Sequence, residues 1–202
     1  MTNIKIKPLK REDIPQIAAF IATGYYDDIF FKWVVPNDAH RHQVVTEYYK
    51  IYLSAKGAIV HVATDSNDEI IGATVWLPHD VDEAIYEAID KAAGIYAPQF
   101  RAVANASHDN VPTEQPFYEL VGFVTRKELQ GQGIGYQLLK HHLDELDSKG
   151  IPTYLEASTP YHEKSIYRKF GYIHHGETIN FKDAAFLYPL YRAAVNREQS
   201  NK

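Results

Sequence analysis

The chain of 202 residues contains no cysteine, which excludes disulfide bonds, thiolate metal ligands and a covalent cysteinyl intermediate. Long apolar runs are also absent. No segment approaches the roughly 20 residues that span a bilayer, and residues 1–5 carry no apolar signal core. We therefore expect a soluble, cytoplasmic protein with no membrane partner.

Acidic residues outnumber basic residues in the sequence. Lys and Arg total 21 against 26 Asp and Glu, so the net charge is −5. A mildly acidic chain has no general attraction to phosphate backbones, and no nucleic-acid partner is expected. Repeats, low-complexity tracts and Gly/Ser-rich linkers are missing too. The sequence therefore predicts a single domain over residues 1–202.

The spacing of apolar residues predicts strands and helices that alternate along the chain, as in an α/β fold with a mixed sheet. Residues 80–115 are the least regular. Val81–Ala93 is compatible with a helix, but the prolines that follow indicate an irregular insert, typical of a binding lid. The predicted strands are 4–7, 58–63, 69–77, 117–125, 153–157, 171–181 and 185–192, and the other predicted helices are 12–24, 40–54, 134–148 and 162–170.

A glycine-rich turn lies between the predicted strand 117–125 and the helix that follows it. Its residues are Gln130, Gly131, Gln132, Gly133, Ile134 and Gly135. Glycine permits positive φ and lets a ligand approach the backbone closely. The first amides of the helix lack intrahelical partners and, together with the helix dipole, attract anions. The turn is therefore a candidate pyrophosphate site.

Two nucleotide fingerprints fail at this turn. A P-loop requires Gly-Lys-Ser/Thr at the helix start, and here Gly135 precedes Tyr136 and Gln137. The dinucleotide motif requires Gly-x-Gly-x-x-Gly and an acidic residue at a later strand end, and Glu156 stands at the wrong spacing. Spacing alone leaves open either an anion site or a tight strand–helix connection.

The sequence resembles the GNAT superfamily of N-acetyltransferases. Gln130, Gly133 and Gly135 match the family signature Gln/Arg-x-x-Gly-x-Gly/Ala, and Tyr167 to Tyr172 is similar to the family's Tyr-x-x-x-Gly-Phe. The resemblance implies a central mixed, mostly antiparallel sheet of about seven strands flanked by helices. Many relatives carry an asparagine ahead of this tyrosine segment. Residues 160–165 contain none, and His162 or Ser165 could take its place.

The same resemblance assigns the cofactor and its contacts. It implies acetyl-CoA as co-substrate, with pantetheine paired to the backbone of Phe123, Val124 and Thr125. Amides of the turn 130–135 would hold the pyrophosphate, with Ser165 nearby. The acceptor would be an amine of a small molecule or peptide. Without cysteine, direct transfer in a ternary complex is the simplest mechanism.

Two residues are candidates for proton transfer. Glu119, the only charged residue in Phe117–Thr125, resembles a family base, and its alternative role is a structural carboxylate. Tyr167 stands where the family places the acid that protonates the departing thiolate, and its alternative is packing against the cofactor. A competing hypothesis for the whole chain is an acyl-CoA-binding sensor domain with weak or no turnover.

The sequence also raises the questions of a metal site, a homodimer and an acceptor pocket. Adjacent histidines at 141–142 and 174–175, and the pair His40 and His42, do not have metal-ligand spacing, so solvated or pocket-edge positions are predicted and no metal. A homodimer is left open. Aromatic residues near the first helix and on the third strand could line an acceptor pocket: Tyr25, Tyr26, Phe30, Phe31, Trp33 and Trp76.

Overall fold

The computed structural model describes residues 4–113, 115–160, 166–182 and 184–195. Eight strands in these ranges form a mostly antiparallel sheet flanked by helices, which confirms the predicted fold class with one strand more than expected. The strands are β1 Lys5–Pro8, β2 Ile59–Thr64, β3 Ile70–Pro78, β4 Tyr118–Thr125, β5 Thr153–Ala157, β6 Ile173–His174, β7 Ile179–Asn180 and β8 Phe186–Arg192. The helices are α1 Ile14–Gly24, α2 Ile29–Val34, α3 Asp38–Leu53, α4 Ala84–Ala93, α5 Ala97–His108 and α6 Ile134–Ser148.

The strand order is β1-β2-β3-β4-β5-β8-β6, and β7 pairs with β8 beside this path. Only β4 and β5 run parallel, and their pairing covers just two positions, Tyr118 with Thr153 and Glu119 with Tyr154. Beyond Glu119, β4 stays on β3 as far as Thr125. The strands β4 and β5 therefore diverge in the middle of the sheet and open a wedge.

A β-bulge accompanies this divergence. In the register with β3, Trp76 faces Leu120 and Val75 faces Gly122, so Val121 has no partner residue. A bulge reverses the side of the sheet to which the following side chains point, and it bends the strand. Leu120 and Phe123 consequently both pack on the α6 side, although their separation is odd.

The two faces of the sheet carry different helices. On one face, α1 and α3 pack through Ile17, Ile21 and Val45 against the inward residues of β2 and β3. The helices α4 and α5 extend this face beside α3. On the other face, α6 packs through Leu139 and Leu143. Apolar burial on both faces fixes which side each element occupies.

Three local predictions were wrong. The helix α2 was not anticipated; its signal is Asp28, whose carboxylate accepts from the amides of Phe30 and Phe31 as an N-cap. The predicted irregular insert contains α5, where Pro98 stands in the first turn that tolerates proline. The predicted strand 171–181 is reduced to the two-residue strands β6 and β7. Within the predicted helix 162–170, residues 166–169 are helical and 162–165 lie outside the described residues.

A buried ion pair connects α6 to β8. Arg192 donates Nη1 and Nη2 to the two carboxylate oxygens of Asp147, both at 2.7 Å. Its Nε donates to the carbonyl of Phe170 at 2.7 Å. The last interaction holds the helical turn that carries Tyr167, so the pair positions a candidate site residue through its neighbours.

Candidate functional site

A cavity of about 990 Å³ lies where β4 and β5 diverge, and α4 and α5 contribute to its wall. This volume is at the upper end of the range for small-molecule sites. Glu119 from β4, Glu156 from β5 and Tyr167 all line it. The structure thus brings the two predicted proton-transfer residues to one cavity, although 48 positions separate them in the sequence.

Glu119 and Glu156 form a pair of carboxyl groups with unequal surroundings. Glu156 accepts from Ser107 Oγ at 2.7 Å and from Tyr154 Oη at 2.9 Å. For Glu119, burial and then the charge of Glu156 raise the pKa to about 8, with no hydrogen bond from the described residues to offset them. Donated hydrogen bonds favour the ionised form. Burial raises the pKa of Glu156 as well, but its two accepted hydrogen bonds oppose that rise. Of the pair, Glu156 therefore ionises first, and Glu119 holds its proton to higher pH.

Tyr167 is a buried residue of the cavity wall. Its ring packs against Phe123 and Tyr172, with ring centroids 6.1 and 5.9 Å apart. Burial raises the pKa of its hydroxyl well above the usual value. The phenol therefore keeps its proton across the physiological range and is available as a donor.

The glycine-rich turn has the backbone geometry of an anion site. Gly131 has φ +79° and Gly133 has φ +85°, and Gly133 is the residue before α6. Gln130, Gly131, Gln132 and Gly133 are exposed, so the first amides of α6 face an accessible surface. The side chain of Ile134 points instead into a core cluster with Ile71 and Leu138.

Gly135 lies against a side chain of β4. A Cβ there would lie 2.7 Å from Cζ of Phe123, closer than carbon atoms can approach. Its φ is not in the left-handed region. Gly135 therefore allows α6 to pack closely on β4, and its contact with a pyrophosphate stays a prediction.

The backbone of β4 beside the wedge is occupied by tyrosine hydroxyls. Tyr25 Oη accepts from the amide of Phe123 at 2.9 Å and donates to its carbonyl at 3.2 Å. Tyr49 Oη donates to the carbonyl of Val121 at 3.0 Å. Val124 and Thr125 continue the register with Ala73 and Gly72 of β3. Any extended ligand that pairs with the backbone of Phe123 from the wedge side must replace the two hydrogen bonds made by the Tyr25 hydroxyl.

Some predicted pocket residues do not reach the cavity. Tyr25, Phe30 and Phe31 line it, whereas Trp33 stacks on Phe181 at 4.6 Å and Trp76 is buried under α6. Ser165 lies outside the described residues. Sequence reasoning missed Glu156, Tyr154 and Ser107 as a connected set. The available signal was that Glu156 is the only charged residue in β5.

The histidine prediction was wrong for His142, which is fully buried against Trp76 at a ring-centroid distance of 4.8 Å. Potential ligand atoms of His61, His142 and Glu145 lie within 4.8 Å of one another. Burial lowers the pKa of His61 to about 4 and that of His142 to about 3. These residues are not part of the cavity wall. They form a separate polar cluster between α6 and β2, in which the two histidines are buried and Glu145 is exposed.

Comparison with known proteins identifies the fold. Residues 111–187 match the family model described as Acetyltransferase (GNAT) domain. This part of the chain is therefore similar to GNAT acetyltransferase domains. The match includes β4, the glycine-rich turn, α6 and β5, the elements that form the wedge and the candidate anion site. No curated protein sequence matches the chain significantly.

Solved GNAT structures cover nearly the whole chain. A Corynebacterium glutamicum protein described as histone acetyltransferase HPA2 and related acetyltransferase has 19% identity and a TM-score of 0.71, covering 96% of this chain and 98% of its own. Arylalkylamine N-acetyltransferase 2 from Aedes aegypti has 11% identity and a TM-score of 0.69, with coverage of 96% and 100%. The NatC complex bound to Gag peptide and CoA has 12% identity and a TM-score of 0.55, with coverage of 95% and 99%. At these identities the likeness establishes the GNAT fold.

The raised pKa of Glu119 predicts a pH-dependent effect on stability. A carboxyl with a folded-state pKa above its unfolded value stabilises the fold below about pH 4.5, and this contribution is lost as pH rises toward about 8. The variant Glu119→Gln has no ionisable group at this position, so it does not lose this stability as the pH rises. We expect the variant to gain at least about 1 kcal/mol in unfolding free energy relative to the parent between pH 4.5 and pH 8.

Urea denaturation at the two pH values measures this difference. The control is Glu12→Gln, which changes an exposed glutamate outside the cavity and should show the same difference from the parent at both pH values. If Glu119→Gln shows no change with pH either, the Glu119 carboxyl is solvated rather than desolvated in the folded protein.

Proposed function

We propose that this chain is an acyl-CoA-dependent N-acetyltransferase that transfers the acetyl group of acetyl-CoA to a primary amine of a small molecule. In this proposal residues 1–202 act as one domain and the two substrates react directly in a ternary complex. The observation that carries it is the shared cavity: a desolvated carboxyl, Glu119, and a buried phenol, Tyr167, line the same wedge. A base and an acid in one cavity are what amine acylation requires.

The described residues fit a CoA molecule. Left-handed glycines at 131 and 133 and the exposed start of α6 suit a pyrophosphate, and the divergence beyond Glu119 leaves one side of β4 open to an extended arm. The backbone of Phe123, Val124 and Thr125 would pair with pantetheine, which replaces the hydroxyl of Tyr25 at Phe123. CoA chemistry supplies an activated acetyl thioester. The CoA-bound NatC neighbour supports this cofactor.

Glu119 acts as the base in its ionised form, whose population rises as the pH approaches its pKa of about 8, and an ammonium bound beside it favours that form. An amine acceptor enters as an ammonium with a pKa near 10 and must lose a proton before it attacks a carbonyl. Transfer to an ordinary carboxylate would cost about 8 kcal/mol, because each pKa unit is about 1.4 kcal/mol. With its pKa raised to about 8, Glu119 lowers this cost to about 3 kcal/mol. Burial and the neighbouring Glu156 thus convert a weak base into a suitable one.

Tyr167 acts as the acid. When the carbon–sulfur bond breaks, the departing sulfur needs a proton or a stabilising hydrogen bond, and the buried phenol of Tyr167 on the cavity wall keeps a proton to donate. Its packing against Phe123 and Tyr172 restricts the ring to one orientation. The ammonium first gives one proton to Glu119, and the free amine then attacks the thioester carbon. As the carbon–nitrogen bond forms and the carbon–sulfur bond breaks, the sulfur takes the proton of Tyr167, and the second proton released by the nitrogen restores the phenol.

The function is tested by release of free CoA thiol from acetyl-CoA in the presence of amines, with mass spectrometry of the acylated product. We expect amine-dependent thiol release that obeys ternary-complex kinetics. CoA binding without turnover of any amine would instead support the acyl-CoA sensor. Absence of CoA binding by calorimetry would contradict both.

The pyrophosphate assignment predicts a position-specific effect at Gly133. Gly133→Asp places a negative side chain beside the first amides of α6, so we expect CoA affinity to fall at least about 30-fold. Gly150→Asp is the matched control, because Gly150 also has a positive φ, +66°, and also has open space around its Cβ position. Both variants should lose about 1–2 kcal/mol of stability from the left-handed backbone.

Calorimetric titration of CoA into both folded variants checks this prediction. Gly150→Asp should bind like the parent. Equal affinities for Gly133→Asp and Gly150→Asp would show that the anion site lies elsewhere.

The acid assignment predicts that Tyr167→Phe lowers kcat about 100-fold with little change in CoA affinity, because only the hydroxyl is removed. Tyr172→Phe is the control. Its ring packs on Tyr167, and its hydroxyl accepts from Thr153 Oγ1 at 2.7 Å outside the cavity wall. Steady-state rates and CoA dissociation constants are measured for both variants. If the two lose kcat equally, the effect is one of packing and Tyr167 is not the acid.

A further inference from the structure

The cavity has a strongly acidic lining. Six carboxyl residues contribute to its wall: Asp28, Glu83, Glu87, Asp90, Glu119 and Glu156. Among the described residues, the only Lys or Arg on the wall is Arg101, and its Nε is bonded to Asp90. An anionic group that enters this space meets like charge and no free guanidinium or ammonium of the described chain. The electrostatics therefore select cations.

Aromatic rings line the cavity together with Glu119. Tyr48, Tyr52 and Tyr86 contribute to its wall. Burial raises the pKa of the three hydroxyls, and the charge of Glu119 raises it further. Tyr48 packs on Tyr52 and Phe100, with ring centroids 4.5 and 5.0 Å apart. The faces of such rings attract cations and their bodies bury apolar surface.

The apolar lining continues along α4 and α5. Ile85 and Ile89 from α4 and Phe100 and Val103 from α5 contribute side chains to the cavity. These residues belong to the cluster that packs the two helices against α3. The cavity is thus acidic at its carboxyl pair and apolar over much of the remaining wall.

We propose that the acceptors are amines whose cationic nitrogen is attached to an apolar, aromatic body and that carry no carboxylate beside the nitrogen. This substrate class rests on the proposed acetyl transfer. The ammonium group enters toward Glu119 and Glu156 and the faces of the tyrosines, and the body packs between α3, α4 and α5. A volume of about 990 Å³ accommodates a body of one or two rings beside the acyl end of the cofactor.

This proposal separates four acceptor classes that share a primary amine. An α-amino acid brings a carboxylate next to the carboxyl pair, where like charges repel. A polyamine satisfies the carboxylates but leaves the apolar wall without contacts. An arylalkylamine satisfies both requirements, and its ring buries surface that a polyamine cannot. Aminoglycosides, polar over their whole surface, fail on the same ground as polyamines.

The test compares kcat/KM for three amines with acetyl-CoA. 2-Phenylethylamine and L-phenylalanine share their ring and chain and differ by one carboxylate, and spermidine supplies cationic charge without a ring. We expect 2-phenylethylamine to exceed L-phenylalanine at least about 100-fold, since like-charge contact costs several kcal/mol. It should exceed spermidine at least about 10-fold, from burial of the ring. A higher value for spermidine or L-phenylalanine would overturn the proposed class.

A wall variant ties the preference to the cavity. Tyr86→Ala removes a ring near Glu119 and should lower kcat/KM for 2-phenylethylamine about tenfold, with less than about a threefold change for propylamine. Ile95→Ala is the control, because Ile95 is exposed and outside the cavity wall. Equal losses for both amines would show that Tyr86 does not contact the body of the acceptor and would overturn its assigned position.

The outcomes distinguish the two proposals. If acetyl-CoA binds and none of the four amines is acetylated, both acetyl transfer and the acceptor class fail. If spermidine or L-phenylalanine is acetylated efficiently and 2-phenylethylamine is not, acetyl transfer stands and the acceptor class alone is wrong.

Discussion

The candidate site depends on the early end of the pairing between β4 and β5. Two residue pairs hold these parallel strands together, and the second of them is Glu119 with Tyr154. Past this point the backbone of β4 has no β5 partner, and the bulge at Val121 changes the side to which its residues point. The wedge, the cavity beside it and the two tyrosine hydroxyls bonded to β4 all follow from this divergence. A fully paired sheet would leave no space for a ligand.

The same divergence explains the unusual carboxyl pair. Glu119 stands at the last paired position of β4 and Glu156 lies two residues beyond Tyr154 on β5, so both side chains point to the face that α4 and α5 cover. A second carboxyl placed next to a hydrogen-bonded one raises the free energy of the folded state at neutral pH. Proteins accept such costs at sites where ligands or reactions use them. An ammonium ligand would offset the cost by interaction with both groups.

Much of the fold could be predicted from sequence because the apolar periodicity of β2, β3, β4 and α6 agrees with their burial. The glycine-rich turn was also predictable, since Gly131 and Gly133 adopt the left-handed backbone that favours glycine. Other features depend on contacts distant in sequence. Gly135 is small because Phe123 lies against it, and His142 is buried because α6 covers Trp76. Glu156 joins the site through a hydrogen bond from Ser107 of α5, a helix that was not predicted because of its proline. Such contacts leave no local signal.

None of the helices in the described part of the chain is long and apolar enough to cross a membrane.

In the proposed function, the wedge binds CoA along β4 and α6 while the α4–α5 side receives the amine. Hydrogen–deuterium exchange followed by mass spectrometry tests it most directly. Saturating CoA should protect residues 120–138, and 2-phenylethylamine added to the CoA complex should protect residues 84–108 in addition. Protection by CoA outside β4 and α6, or no protection of residues 120–138, would show that CoA does not bind in the wedge.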